Sequence, residues 1–195
     1  MKTLYIECNM GAAGDMLMAA LLELLPDPDA FIDKMNSLGI PGVRLEKKTS
    51  VKCGITGTHV SVYVGDSEEE SYDISPGHVH GLSHNQDIHS HTHHEHYHAD
   101  FEEIQRLLYS LPVPDKVKED AIAVYSLIGS AEAEVHGKPV ENIHFHEVGT
   151  MDAVADVVGV CILIDMLSPR KIIVSPVHTG SGQVKCMHGI LPVPA

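Results

Sequence analysis

Thr3-Leu4-Tyr5-Ile6-Glu7-Cys8-Asn9-Met10-Gly11-Ala12-Ala13-Gly14-Asp15 lies at the start of the chain, and its reading decides the fold. Thr3 to Cys8 has the composition of a short strand, and Met10 to Asp15 makes a turn of small residues. Met16 to Leu25 then has the apolar density of a buried helix. A strand delivered into a helix through small residues is the beginning of an α/β protein. Backbone amides at the start of such a helix can hold a phosphate. The stretch has neither the lysine of a P-loop nor the three-glycine dinucleotide fingerprint. Gly11 and Gly14 are therefore candidate cofactor-binding positions, with a plain tight turn as the simpler role. Asp15 either joins a site there or only favours the helix dipole.

Outward from this unit, Pro26 and Pro28 end the first helix, and Asp29 starts a second that reaches Leu38, with Gly39 as its cap. Val43 to Lys47 and His59 to Val64 read as two antiparallel strands, with turn residues Gly54 and Gly57 between them. Val60, Val62 and Val64 share one face. From Gly65 the composition changes: Glu68 to Glu70 are acidic, and nine histidines fall between His78 and His98. With almost no apolar residue, residues 65–99 cannot bury a core and are expected to form a flexible acidic and histidine-rich loop.

Structure is expected to resume at Asp100, an N-cap for Phe101 to Leu111. Pro114 opens a longer helix to Val135, stopped by Gly137 and Pro139. Asn142 to Val148 is extended, Thr150 caps a helix over Met151–Leu167, and Ile172 to Ser175 is a strand. The expected fold class is α/β, a mixed sheet with packed helices. Residues 1–64 and 100–195 would form one domain around the loop.

The 195 residues are 44% hydrophobic, enough for a real core, and carry a net charge of −14. That charge argues against nucleic acid as a partner, because phosphate binding needs clustered Lys and Arg. The longest apolar run, Val157 to Ile164, cannot span a bilayer, and Glu7 interrupts the only stretch resembling a signal peptide. None of the four cysteines forms a CxxC pair. Cys8 and Cys161 read as ordinary buried thiols, and this usage fits a reducing cytoplasm.

His144-Phe145-His146-Glu147 is the most informative local motif. Residues two apart in an extended segment face one side, so His144 and His146 can address one ion while Phe145 packs behind. Asp152 and Asp156 follow, one turn apart on one helix face. Two imidazoles with nearby carboxylates suit a borderline transition metal; two surface histidines on an edge strand are the plainer alternative. Asp152 could also serve its helix N-terminus. Asp156 sits among Val154, Ala155, Val157 and Val158, where a carboxylate costs free energy unless paired or exposed. His89, His91, His93, His94, His96 and His98 form an auxiliary store for nickel, copper or zinc, without selecting nickel. His178 and His188 flank Gly180-Ser181-Gly182, where an anionic ligand could bind.

Met10–Met16, the internal histidine tract, Glu132-Ala133-Glu134-Val135-His136-Gly137, the run from His144 to Asp156, and His188-Gly189-Ile190-Leu191-Pro192-Val193-Pro194-Ala195 occur in that order. Together they resemble the nickel-insertion protein family of the lactate racemase system. The resemblance implies a nickel chelatase or insertase, of the lyase class. It would load nickel into pyridinium-3,5-bisthiocarboxylic acid mononucleotide to form the nickel-pincer cofactor, using CTP with Mg or Mn. Carried over by position, it implies His144, His146, Asp152 and Asp156 as metal ligands and Glu147 and Asp15 as catalytic groups, with Glu147 the first candidate base. Gly11, Gly14, His178 and His188 would bind the cofactor. Family members usually continue past the Leu-Pro-Val-Pro-Ala stretch into a carboxy-terminal part associated with CTP. The uncharged ending at Ala195 reads as cut rather than finished, so a separately encoded carboxy-terminal half is a candidate partner, as is a second copy of the chain. Two other functions compete: a nickel store or metallochaperone, and a metal-dependent phosphate-ester hydrolase.

Overall fold

The computed structural model describes residues 2–65, 67–68, 100–140, 143, 145, 148–186 and 189–194. The expected loop, apart from Gly65, Ser67 and Glu68, lies outside the described residues.

β1 (Thr3–Ile6) runs into the glycine turn and then α1 (Gly14–Leu22). α2 (Pro28–Ser37) starts one residue before its expected first residue. Its cap is Asp27, whose carboxylate accepts from the Ala30 amide at 3.2 Å, with proline at the first helical position where no amide is needed. Gly39 follows the helix at φ +77°, the left-handed conformation expected of its terminator.

β2 (Val43–Lys52) and β3 (Ile55–Val64) form a long antiparallel hairpin, register Lys52 opposite Ile55. The connection is two residues, Cys53 and Gly54, both at positive φ. That twist matches the strands and leaves one non-glycine residue in a left-handed conformation. Gly57, expected in the turn, lies inside β3 opposite Ser50, because the tight two-residue loop is satisfied by Cys53–Gly54 alone. β4 (Ser67–Glu68) extends the hairpin to three strands.

α3 (Phe101–Ser110) begins with a full capping box. Asp100 accepts from the Glu103 amide at 2.8 Å and Glu103 accepts from the Asp100 amide at 3.2 Å. α4 (Asp115–His136) ends at Gly137, φ +60°. α5 (Met151–Leu167) is apolar on nearly every side and is the central helix, since such a sequence is stable only when surrounded. β5 (Lys171–Val174) returns to pair parallel with β1, and β6 (Gly182–Cys186) and β7 (Gly189–Val193) form a second hairpin.

The class is α/β, and among the described residues the strands are shared among three small sheets: parallel β1–β5, antiparallel β2–β3–β4 and antiparallel β6–β7. α1, α2 and α5 pack on the β2–β3 hairpin, α4 packs on α5, and α3 on α4. One hydrophobic cluster runs through these elements, from Met18, Phe31 and Val60 to Tyr125, Phe145 and Ile162. α1 and α5 approach closely at Gly159, where an added Cβ would run into the Met18 side chain.

A candidate acidic site at the glycine turn

The chain after β1 folds back on itself. The Gly11 amide donates to the Cys8 carbonyl at 3.1 Å, and Gly11 adopts φ +96°, which strains any other residue. The same carbonyl accepts from the His178 amide at 3.0 Å, and the Cys8 amide donates to Ser175 Oγ at 2.8 Å. The segment after β5 is thereby tied to the glycine turn, and His178 is placed at that turn through its backbone. Its side chain is exposed.

Ala13 is the N-cap of α1 and supplies no side-chain hydrogen bond to the first-turn amides. Asp156, from the middle of α5, lies there instead. A Cβ on Gly14 would stand 2.5 Å from Asp156 Cβ and Oδ2, so only glycine admits this carboxylate. Asp15 in the first turn of α1 and Asp152 one turn before Asp156 complete an acidic group.

The electrostatics follow from this crowding. Burial first, and then the charges of Asp15 and Asp152, together push the Asp156 carboxyl up to about 7, while the Asp15 backbone amide pulls the other way. Asp156 Oδ1 is buried and has no hydrogen-bond partner among the described residues. Asp152 is also raised by burial, opposed by its own amide and that of Ala153, which is the helix-terminus role open to it from the sequence.

Tyr125, on α4, was not legible as a site residue. It is 0% exposed, its hydroxyl has no partner among the described residues, and burial followed by the charge of Asp156 raises its pKa. Nothing in the helical spacing of α4 distinguishes it from its apolar neighbours. Its ring packs 5.8 Å from that of Phe145, which in turn meets Phe101 edge-on at 6.3 Å. Ile143 and Phe145 are both buried and fix the chain leading to α5.

His144, His146, Glu147 and His188 lie outside the described residues, as do His89, His91, His93, His94, His96 and His98. Of the expected site, the fold brings Asp15, Asp152, Asp156 and Gly14 together and places Gly11 and His178 against each other. Among the described residues, no group of three or more His, Cys, Asp or Glu is set to hold a metal ion by itself. A triphosphate would be repelled by the charges of Asp15, Asp152 and Asp156, and the described residues form no metal-holding group to bridge the two.

Fold and site define an α/β protein with Asp15, Asp152 and Asp156 near the start of one helix, close enough for their charges to act on one another but not by themselves a metal-holding group. The chain belongs to the nickel insertion protein family, whose model matches residues 4–195. It is 38% identical over 199 residues to a pyridinium-3,5-bisthiocarboxylic acid mononucleotide nickel insertion protein of Clostridium kluyveri, covering 100% of this chain and 45% of that one. Proteins of the same description match from Akkermansia muciniphila, at 34% identity, and Clostridium acetobutylicum, at 37%. Their coverage is 100% of this chain and 43% and 48% of theirs. The chain thus spans less than half the length of these relatives. No solved structure matches it.

Proposed function

We propose that this chain is the metal-handling part of an enzyme that inserts nickel into pyridinium-3,5-bisthiocarboxylic acid mononucleotide. Family membership suggests the reaction, and the buried Oδ1 of Asp156, without a hydrogen-bond partner among the described residues and acted on by the charges of Asp15 and Asp152, is the observation that carries the assignment to this site. The charges of Asp15 and Asp152 oppose ionisation of Asp156, and a proton, or a cation brought in with further ligands such as His144 and His146, would relieve that repulsion.

In the insertion, nickel as substrate gains bonds to both sulfurs and to one ring carbon. That carbon loses its hydrogen as a proton, and the C–H electron pair becomes the nickel–carbon bond. We assign Asp15 and Asp152 to guiding the ion, with His144 and His146, which alternate in sequence with buried Ile143 and Phe145. The proton needs an acceptor with a pKa near neutrality. Glu147 is one candidate. Asp156, at about 7, is a second, provided that it does not ligate the ion through the same oxygen. Gly11, Gly14, His178 and His188 are assigned to the mononucleotide. CTP with Mg or Mn is assigned to the part of the enzyme beyond this chain, because the acidic group does not suit a triphosphate. Working in the cytoplasm agrees with the free thiols of Cys8, Cys53 and Cys161, and no helix among the described residues is long and apolar enough to cross a membrane.

The test removes the histidine tract, so that nickel held there does not mask the site. In that background calorimetry should give tight nickel binding, weakened at least tenfold by Asp152→Asn and by His144→Ala with His146→Ala. Unchanged affinity in both variants would refute the assignment, and loss of all tight binding on removal of the tract would leave a nickel store built on the tract.

A further inference from the structure

A two-stranded parallel sheet is an unusual end point. Parallel strands occur almost only in sheets covered on both faces, because each needs neighbours on its edges and helices above and below. Here β1 and β5, among the described residues, pair only with each other. Their register sets Tyr5 beside Ile173 on one face, and Leu4 beside Ile172 and Ile6 beside Val174 on the other. Tyr5 is 59% exposed, Ile173 41%, Ile172 42% and Val174 52%, so both faces of the pair leave large apolar side chains in water.

A groove of about 300 Å³ runs along β1 and is lined by consecutive residues of that strand, Leu4, Tyr5 and Ile6, together with Met16, Ala20 and Leu24 of α1 and the turn after it. Consecutive strand residues point to opposite faces. A groove touching all of them therefore follows the strand's edge, and with no β5 residue in its lining that edge is the one turned away from β5. Met16, Ala20 and Leu24 recur every four residues, so they form one stripe above it. Met16 is 44% exposed and Leu24 56%.

We propose that this edge and stripe form the docking surface for a β-strand supplied by the part of the longer family polypeptide that lies outside this chain. The added strand would hydrogen-bond to the backbone of Thr3–Ile6. Its side chains on one face would be apolar and fill the groove against Met16, Ala20 and Leu24. The relatives carry more than half their length beyond the segment matched here, which supplies an occupant present in equal number and of sufficient size. The inference rests on family membership and not on nickel chemistry, and its test uses no metal.

The chain is joined, in place of the matched segment, to the remaining polypeptide of the Clostridium kluyveri relative. Hydrogen exchange at Thr3–Ile6 is then compared between this fusion and the chain alone. Exchange should slow at least tenfold in the fusion, and Ala20→Lys with Leu24→Asp should restore fast exchange there without changing the melting temperature of the chain alone. Equal exchange in the two proteins would overturn the proposal, as would protection that survives both substitutions. So would protection of Thr3–Ile6 that rises with concentration in the chain alone, which would make the occupant a second copy.

Discussion

Asp156 carries opposed demands. Its carboxylate reaches the N-terminus of α1, where a negative charge is favoured, yet burial and two neighbouring carboxylates hold its pKa at about 7 rather than the 3.8 ordinary for an aspartate. The consequence for stability has a definite sign. Below about pH 4 the group is protonated in both states and costs nothing. Between about 4 and 7 the unfolded chain releases the proton while the folded one keeps it, so stability falls as pH rises; above 7 the loss levels off. Asp156→Asn should therefore stabilise the metal-free protein at pH 8 by on the order of 2 kcal/mol, after allowance for partial solvent screening, and by almost nothing at pH 4. Urea titrations at the two pH values check this, and an equal effect at both would mean that Asp156 is not raised. The sequence announced only half of this. Asp156 stood out as a carboxylate among valines and alanine, but the two partners that raise it further are Asp15, distant in sequence, and Asp152. The unpartnered hydroxyl of Tyr125, on a third helix, left no trace in the pattern.

Elements owe their positions to a few close approaches. α1 can lie against α5 because Gly14 and Gly159 have no side chains where Asp156 and Met18 cross. A methyl group at Gly14 would meet Asp156 Cβ at 2.5 Å, and that atom cannot swing aside because it is fixed to the backbone of α5. Gly14→Ala should cost at least about 2 kcal/mol, as overpacking of a rigid contact does, and should lower the melting temperature accordingly. A near-neutral result would show that the two helices slide freely. The element boundaries themselves were largely local. Asp100 and Glu103 form their capping box within four residues, and Gly39 and Gly137 end their helices by their own backbone freedom. The β6–β7 hairpin escaped notice although Gln183-Val184-Lys185-Cys186 alternates polar and apolar residues, because four residues between turn glycines are too short a run to separate a strand from a loop.

Across the whole molecule, one buried cluster joins residues on both sides of the histidine-rich stretch: Met18, Phe31 and Leu45 before it, Ile104, Tyr125 and Ile162 after it. We propose that these segments are a single cooperative domain. Thermal unfolding followed by far-UV and by near-UV circular dichroism should then give coincident transitions. Two separated transitions would divide the chain into independent halves. The apolar β1–β5 pair is the exception to this closure.

By itself the sequence determined what short-range physics controls. It set the strand–turn–helix start, the caps, the apolar faces, the antiparallel β2–β3 segments, and the succession of motifs that resembles one family. Tertiary structure decided everything that depends on which distant residues meet. It put Asp156 onto Gly14, surrounded it with Asp15 and Asp152, buried Tyr125 near them, and split the strands into three small sheets. The reason lies in range. Caps and turns are satisfied within a few residues, whereas a carboxylate's pKa and a strand's neighbours depend on groups far along the chain, whose encounter only the packed core fixes.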